Sequence, residues 1–406
     1  MKDSRVRVVH VLPHAAAGGA TLLAMELAQR LDRGRYQVKL AVGPESDGEG
    51  NLLEEMRRLG LELILLPHMR RAPHAGHDAR ALLELGRLLY HQRPHIVHTH
   101  GSKPKLLTSL AAAFGSVPLR VAHVWGWEWQ PASNLLRRCA YRWEARMSAQ
   151  GYDALIACSE AMRRQGLAQG VGRPRQYEVV LPSVDLERFN PNGRDRARTR
   201  VRAEFGLPVA SPIVVSVMRL AEQKAPDILL GAAALLSALV PKLRWLIVGG
   251  GPLQAQVAAM VKNLHLQDTV ILTGPRRDVP RLLKAADIFA LASDWEPFGV
   301  AYLEASAVGL PVVGTRVDGT PEAVVHGETG LLVDRRNPMQ LATAIARIAT
   351  ESHLARRLGR GGTRRAQQFG HERFVAGIED IYARLLAENG GAGQPPEPST
   401  LSHASS

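Results

Sequence analysis

Two glutamates with seven residues between them, Glu296 and Glu304, stand at the head of DWEPFGVAYLEASAVGLPVVGTRVDGTPEAVVHGETGLLV (294–333). Pro297-Phe298-Gly299 follows the first, where a strand should end and a helix begin, so Glu304 falls more than one turn inside that helix. The free amides near Phe298, Gly299 and Val300 would attract an anion. A carboxylate on either side of a bound phosphate can accept hydrogen bonds from its hydroxyl-bearing substituents. Glu pairs also occur on solvated helix faces. The surrounding glycines and prolines are what give this segment its specificity.

Arg219 and Lys224, in VMRLAEQKAPDILLGA (217–232), follow one strand and precede a helix. Two cations at the carboxyl end of a strand suit a diphosphate, the arginine as a fork and the lysine as a point charge. Taken alone they read more readily as two surface charges. Gly249-Gly250-Gly251-Pro252 and Gly18-Gly19 each follow a strand, where glycine lets backbone approach a ligand. Neither stretch matches the P-loop or the dinucleotide fingerprint.

HIVHTH (95–100) offers His98 and His100 as metal ligands but lacks an obvious third. His123 is a candidate general base, although a strand histidine is more often simply packed. VWGWEWQ (124–130) holds three of the six tryptophans, Trp125, Trp127 and Trp129. The helix after Pro131 mixes Leu135, Leu136, Tyr141, Trp143 and Met147 with Arg137, Arg138, Arg142 and Arg146. That mixture fits an anionic membrane surface and fits an amphipathic helix packed on a sheet almost equally well.

Positioning these groups requires a scaffold. Short apolar runs alternate with amphipathic segments, which predicts parallel α/β sheets. The alternation pauses at LPSVDLERFNPNGRDRARTR, read as a linker, and then restarts. The expected fold is two Rossmann-like doubly wound domains facing across a cleft: residues 1–185, residues 186–389 with the last helices returning to the first domain, and a disordered tail over 390–406. Ligands of such sheets bind at the carboxyl ends of strands.

The 406 residues carry a formal charge of +13, mostly as scattered arginine, and 46% hydrophobic residues. No nucleic-acid-binding pattern accompanies the charge. Two cysteines, no signal peptide and no apolar stretch long enough to span a bilayer point to the cytoplasm.

Taken together, the Glu-x7-Glu segment, Arg219 with Lys224, the GGGP turn, HTHGSKPKLL (98–107), SVDLERF (183–189) and GTPEAVVHGETGLLV (319–333) resemble retaining, nucleotide-sugar-dependent glycosyltransferases of the GT-B fold, specifically glycosyltransferase family 4 (group 1), of the exopolysaccharide or capsule type. The resemblance implies a hexosyltransferase-like enzyme. Glu304 would bind the donor ribose and Glu296 the donor sugar. The amides of Phe298, Gly299 and Val300 would hold sugar and phosphate, and Arg219 and Lys224 would neutralise the diphosphate. Gly19 and Gly250 would approach the donor, and the loop at Arg276 would meet the base. Glu296, Arg219 and Lys224 are the expected catalytic residues; His100, His123, Trp125 and Trp127 are acceptor-side candidates. No cofactor or metal is expected, since no Asp-x-Asp is present.

The implied acceptor is a saccharide, with a polyprenyl-diphosphate-linked one favoured, and the implied site of action is the inner face of the plasma membrane. A GT-B nucleotide-sugar epimerase and a non-catalytic nucleotide-sugar-binding protein are the alternatives. The family commonly reads T-x-H-G-[FW]-x-F where this chain has VWGWEW, so Trp125 stands in place of an active-site histidine.

Overall fold

The computed structural model describes residues 4–16, 18–44, 52–70, 73–112, 117–130 and 134–390. Seven strands build the first sheet: β1 (Val6–Leu12), β2 (Tyr36–Val42), β3 (Glu62–Leu65), β4 (Ile96–His100), β5 (Leu119–Val124), β6 (Ala154–Ala157) and β7 (Tyr177–Val179). Six build the second: β8 (Ile213–Val217), β9 (Arg244–Val248), β10 (Val270–Gly274), β11 (Ile288–Ala290), β12 (Val312–Thr315) and β13 (Gly330–Val333). Their orders are β3-β2-β1-β4-β5-β6-β7 and β10-β9-β8-β11-β12-β13, and the pairings are parallel.

Strand order reverses between β1 and β4 and again between β8 and β11. Those reversals open crevices at the carboxyl ends of the strands. Gly18-Gly19 follows β1, Gly101 follows β4, Arg219 follows β8, and the Asp294–Gly299 loop follows β11. Gly18-Gly19, Arg219 and the Glu296 loop therefore stand at the two reversal points, while the GGGP turn, Arg276 and the tryptophan run follow the neighbouring strands β9, β10 and β5. This is the GT-B architecture, two Rossmann-like units facing across a cleft.

Each sheet is covered on both faces, which explains its near-continuous apolar strands. In the second sheet Trp245 is fully buried, and its indole N–H reaches Ser216 Oγ at 2.9 Å. The last helix, His371–Glu388, returns to the first sheet, where Phe374, Ile378 and Tyr382 join Val8, Leu40 and Val121 in one core.

Two local features differ from the sequence reading. The three-residue edge strand β7 has too little pattern to announce itself. The segment read as a linker runs into a helix, Arg194–Glu204, that starts beyond Gly193 at φ +75°. Arg194, Arg198 and Arg202 share one helix face at i, i+4 spacing. Arg194 donates to the Ala286 carbonyl at 2.9 Å, Arg198 to Asp287 at 2.5 Å, and Arg202 to the Ser211 carbonyl at 2.8 Å. These arginines add polar anchors to the buried apolar pair Ala197 and Val201. The tail from 391 onward lies outside the described residues.

Candidate active site

The loop after β11 carries Glu296, which is buried. Its Oε2 pairs with the Lys224 ammonium and accepts the Ser293 hydroxyl at 3.0 Å. Lys224 sits on the single 3₁₀ turn Glu222–Lys224, and Ala225 after it takes φ +43° to launch the next helix. A carboxylate and an ammonium are thus held together where water is largely excluded, which strengthens their attraction.

Gly299 starts the helix Val300–Ala307 at φ +98°, with no side-chain cap. A Cβ there would lie 2.5 Å from Tyr302 Cδ2 and 3.3 Å from Glu296 Cγ. The position therefore requires glycine both for its backbone angle and for space. The uncapped first turn leaves its amides available to an anion. Glu304 lies on the same helix, half-buried. Burial pushes its carboxyl up to about 7, and the Arg188 charge pulls it partly back.

The GGGP turn supports the loop that carries Arg219. Met218 N–H reaches the Val248 carbonyl and Leu220 N–H the Gly250 carbonyl. A Cβ at Gly249 would sit 1.9 Å from the Met218 carbonyl oxygen, and one at Gly251 would sit 2.5 Å from that of Leu220. The steric demand falls on Gly249 and Gly251. Gly250, the position named from sequence, would meet Pro275 at 3.0 Å. Arg219 is exposed above this turn. Arg276 is held by Asp278 at 2.8 Å and by Glu204 at 2.8 Å, so its guanidinium is already committed to carboxylates. Gly18 and Gly19 open the first helix, and a Cβ on either would meet no atom within 4 Å, so the side-chain side of both positions is open.

Three residues not singled out from sequence tie this loop to the first half of the chain. Asp318, at φ +39°, accepts the Glu296 N–H at 3.0 Å, Gln165 Nε2 at 2.6 Å and Gln130 Nε2 at 3.2 Å. Glu322 accepts the Glu160 and Ala161 amides, both at 2.9 Å, at the start of the helix Glu160–Ala168. The Ser159 hydroxyl donates to the Pro297 carbonyl at 2.7 Å. Gly319 packs so closely that a Cβ would lie 2.0 Å from that same carbonyl oxygen. GTPEAVVHGETG was recognisable as a motif, but these partners are more than a hundred residues away in sequence.

On the first sheet, His10, His98, His100 and His123 share one buried face beside Tyr382. His10 supplies the third imidazole that HIVHTH lacked, with ligand atoms of His10, His98 and His100 within 4.8 Å of one another. The hydrogen bonds argue for another arrangement. Trp125 Nε1–H points at His100 Nδ1 at 3.3 Å, and an indole nitrogen only donates. His100 Nδ1 is then the acceptor and Nε2 carries the proton, donating to His10 Nδ1 at 3.0 Å. Binding a metal at His100 Nε2 would require removing that proton. Burial lowers the pKa of all four imidazoles and keeps them neutral, with His10 and His123 at about 3.

Trp125 lies flat on His123, with ring centroids 3.7 Å apart. It is half-buried and closes the cleft end of the histidine row. Trp127 is a core residue: its N–H reaches the Met162 carbonyl at 3.1 Å and it stacks on Trp129 at 4.5 Å. The helix Leu135–Ala149 is not fully packed. Its residues 135–140 are exposed, and Leu135, Leu136, Trp143 and Met147 are 71%, 79%, 65% and 46% exposed.

Residues 17–188 match the model for Glycosyltransferase Family 4, and residues 197–365 match that for Glycosyl transferases group 1. Over 230 residues the chain is 36% identical to D-inositol 3-phosphate glycosyltransferase of Salinispora arenicola, covering 53% of this chain and 51% of that protein. It spans about half the length of that relative. Over 355 residues it is 26% identical to UDP-Gal:alpha-D-GlcNAc-diphosphoundecaprenol alpha-1,3-galactosyltransferase of Escherichia coli, covering 86% of this chain and 90% of that one. The fold superposes on Anabaena HepE in complex with UDP and glucose with a TM-score of 0.80 at 20% identity, covering 94% and 100% of the two chains. The chain is a GT-B protein related to glycosyltransferases of these groups. Among the described residues no helix is long and apolar enough to cross a membrane.

Proposed function

We propose that this protein moves a sugar, with retention of anomeric configuration, from a nucleotide-sugar donor to a saccharide acceptor in polysaccharide or glycoconjugate synthesis. The observation that carries the reading is one short region holding the Lys224–Glu296 pair, the uncapped helix start at Gly299 and the carboxyl of Glu304. In this reading residues 1–185 bind the acceptor and residues 186–389 bind the donor.

Arg219, Lys224 and the amides at Phe298, Gly299 and Val300 face the diphosphate. Glu304 accepts from the ribose hydroxyls and Glu296 from the sugar. Gly19, Gly250 and the loop at Arg276 border the donor, while His100, His123 and Trp125 lie on the acceptor side.

As the bond from the anomeric carbon to the phosphate oxygen breaks, its electron pair leaves with the diphosphate. Cations and helix amides stabilise that developing charge more than they stabilise the intact donor. The acceptor hydroxyl attacks from the same face, and its proton passes to the departing phosphate oxygen. No protein nucleophile is needed. Glu296, already paired with Lys224 and Ser293, is better placed to orient the sugar than to attack it.

A panel of UDP-, GDP- and ADP-sugars, each offered with and without EDTA and read by mass spectrometry, tests the reading. Transfer or slow hydrolysis of one nucleotide class is expected, undiminished by the chelator. Epimerised donor without transfer, or rates abolished by EDTA and restored by Mn²⁺, would contradict it.

The exposed helix Leu135–Ala149 supports a lipid-linked acceptor and docking at the inner membrane face. Apolar side chains beside Arg137, Arg138, Arg142 and Arg146 suit the interface of an anionic bilayer. The protein is expected to cosediment with phosphatidylglycerol vesicles at low salt. Leu135→Glu with Leu136→Glu and Trp143→Glu should remove most of that binding. Equal sedimentation of the variant would assign the membrane contact elsewhere.

A further inference from the structure

The face of the helix Arg194–Glu204 that does not anchor it lines a groove of about 420 Å³ against the helix Val279–Ala285. Arg188, Arg196, Arg200, Arg277, Arg281 and Lys284 all line it. The one carboxylate in the lining, Asp278, is already bonded to Arg276 and Arg281. Among the described residues none of Arg188, Arg196, Arg200, Arg277 and Lys284 forms an ion pair. Arg188 instead donates to the Arg277 carbonyl at 3.2 Å, and Lys284 reaches the Asn190 side-chain oxygen at 3.4 Å.

Arg196 and Arg200 stand one turn apart, an arrangement of like charges that costs helix stability unless an anion lies between them. The helix start adds to the field. Gly193 provides no side-chain cap, so the positive end of an eleven-residue helix opens beside the guanidinium groups. Guanidinium forks around a concave surface match phosphate oxygens in geometry as well as in charge. Arg219, Lys224, Glu296 and Glu304 do not line the groove, although Arg188, whose charge acts on Glu304, and Arg277 place one side of it next to the donor loop.

We propose that this groove binds a compact, multiply charged phosphate group, either as a free diphosphate or as the phosphate headgroup of a lipid.

Equilibrium binding of inorganic pyrophosphate to the wild type and to an Arg196→Gln/Arg200→Gln variant tests the proposal. Both side chains are exposed, so the variant should fold, and thermal melting checks that it does. The variant is expected to bind one equivalent fewer, or to bind it more than about tenfold more weakly, with sugar transfer unchanged. Any binding by the cleft is common to both proteins, so the difference reports the groove whatever the cleft does.

Phosphatidic-acid vesicles, offered to protein carrying Leu135→Glu/Leu136→Glu/Trp143→Glu, separate the two sources. Vesicle binding that pyrophosphate displaces and that needs Arg196 and Arg200 identifies the lipid headgroup. Pyrophosphate binding without vesicle binding identifies the free anion. Binding of neither probe, or binding unchanged in the Arg196→Gln/Arg200→Gln variant, overturns the proposal.

Discussion

Lys224→Ala is expected to lower kcat/KM by roughly 10²–10³-fold, the size of effect seen when one group stabilising transition-state charge is removed. It should also lower stability. Lys224 and Glu296 have side chains that are 16% and 8% exposed, and deleting the lysine leaves the carboxylate with the Ser293 hydroxyl as its remaining side-chain partner. Breaking a buried pair in this way costs about 3–5 kcal/mol. The two losses have different origins, and a second substitution separates them. Replacing both partners, Lys224→Met with Glu296→Met, removes the unpaired charge and should restore much of the stability while transfer stays lost. Steady-state kinetics beside thermal melts make the comparison. Restored activity in the melt-restored double variant would reduce the pair to a structural role.

The sequence indicated the reversal-point loops more clearly than it indicated their supports. Glu296, Glu304, Arg219 and Lys224 announce themselves because their chemistry is local: a charge, a strand end and a glycine within a few residues. Asp318 and Glu322 do not, because their partners Gln130, Gln165, Glu160 and Ala161 come from the other half of the chain. His10 joins His98 and His100 only because β1 lies beside β4, a neighbour relation created by a crossover. The helix Arg194–Glu204 was hidden by composition. Its anchoring face sets Arg194, Arg198 and Arg202 beside a short apolar stripe, Ala197 and Val201, so the apolar periodicity that usually marks a buried face is weak. The i, i+4, i+8 spacing of Arg194, Arg198 and Arg202 was the available signal. The tryptophan run resolves by position: Trp127 and Trp129 pack, and Trp125 closes the cleft end of a row of neutral histidines.

Affinity for an intact nucleotide sugar is expected to rise with pH up to about 7 and then level off. Burial holds the Glu304 carboxyl near 7 in the unliganded protein, against an ordinary 4.5, so at pH 6 it is mostly protonated. A carboxylate accepting two hydroxyl hydrogen bonds is stabilised in its ionised form, so donor binding should draw the pKa down and release a proton. Below about pH 7 the dissociation constant should therefore worsen by up to about tenfold per pH unit. The diphosphate of a nucleotide sugar is doubly esterified and does not titrate between pH 5 and 7, so the dependence belongs to the protein. The stability consequence runs in the same window. Because the folded protein holds this proton more tightly than the unfolded chain does, the carboxyl contributes least to stability above pH 7 and progressively more as pH falls toward 4.5. Glu304→Gln keeps the shape and removes the titration. It should bind donor more weakly at pH 7.5, show a flatter profile from pH 5.5 to 7.5, and release no proton when calorimetry is repeated in buffers of different ionisation enthalpy. A wild-type profile as flat as the variant's would remove Glu304 from the hydroxyl contacts and leave its raised pKa as a consequence of burial alone.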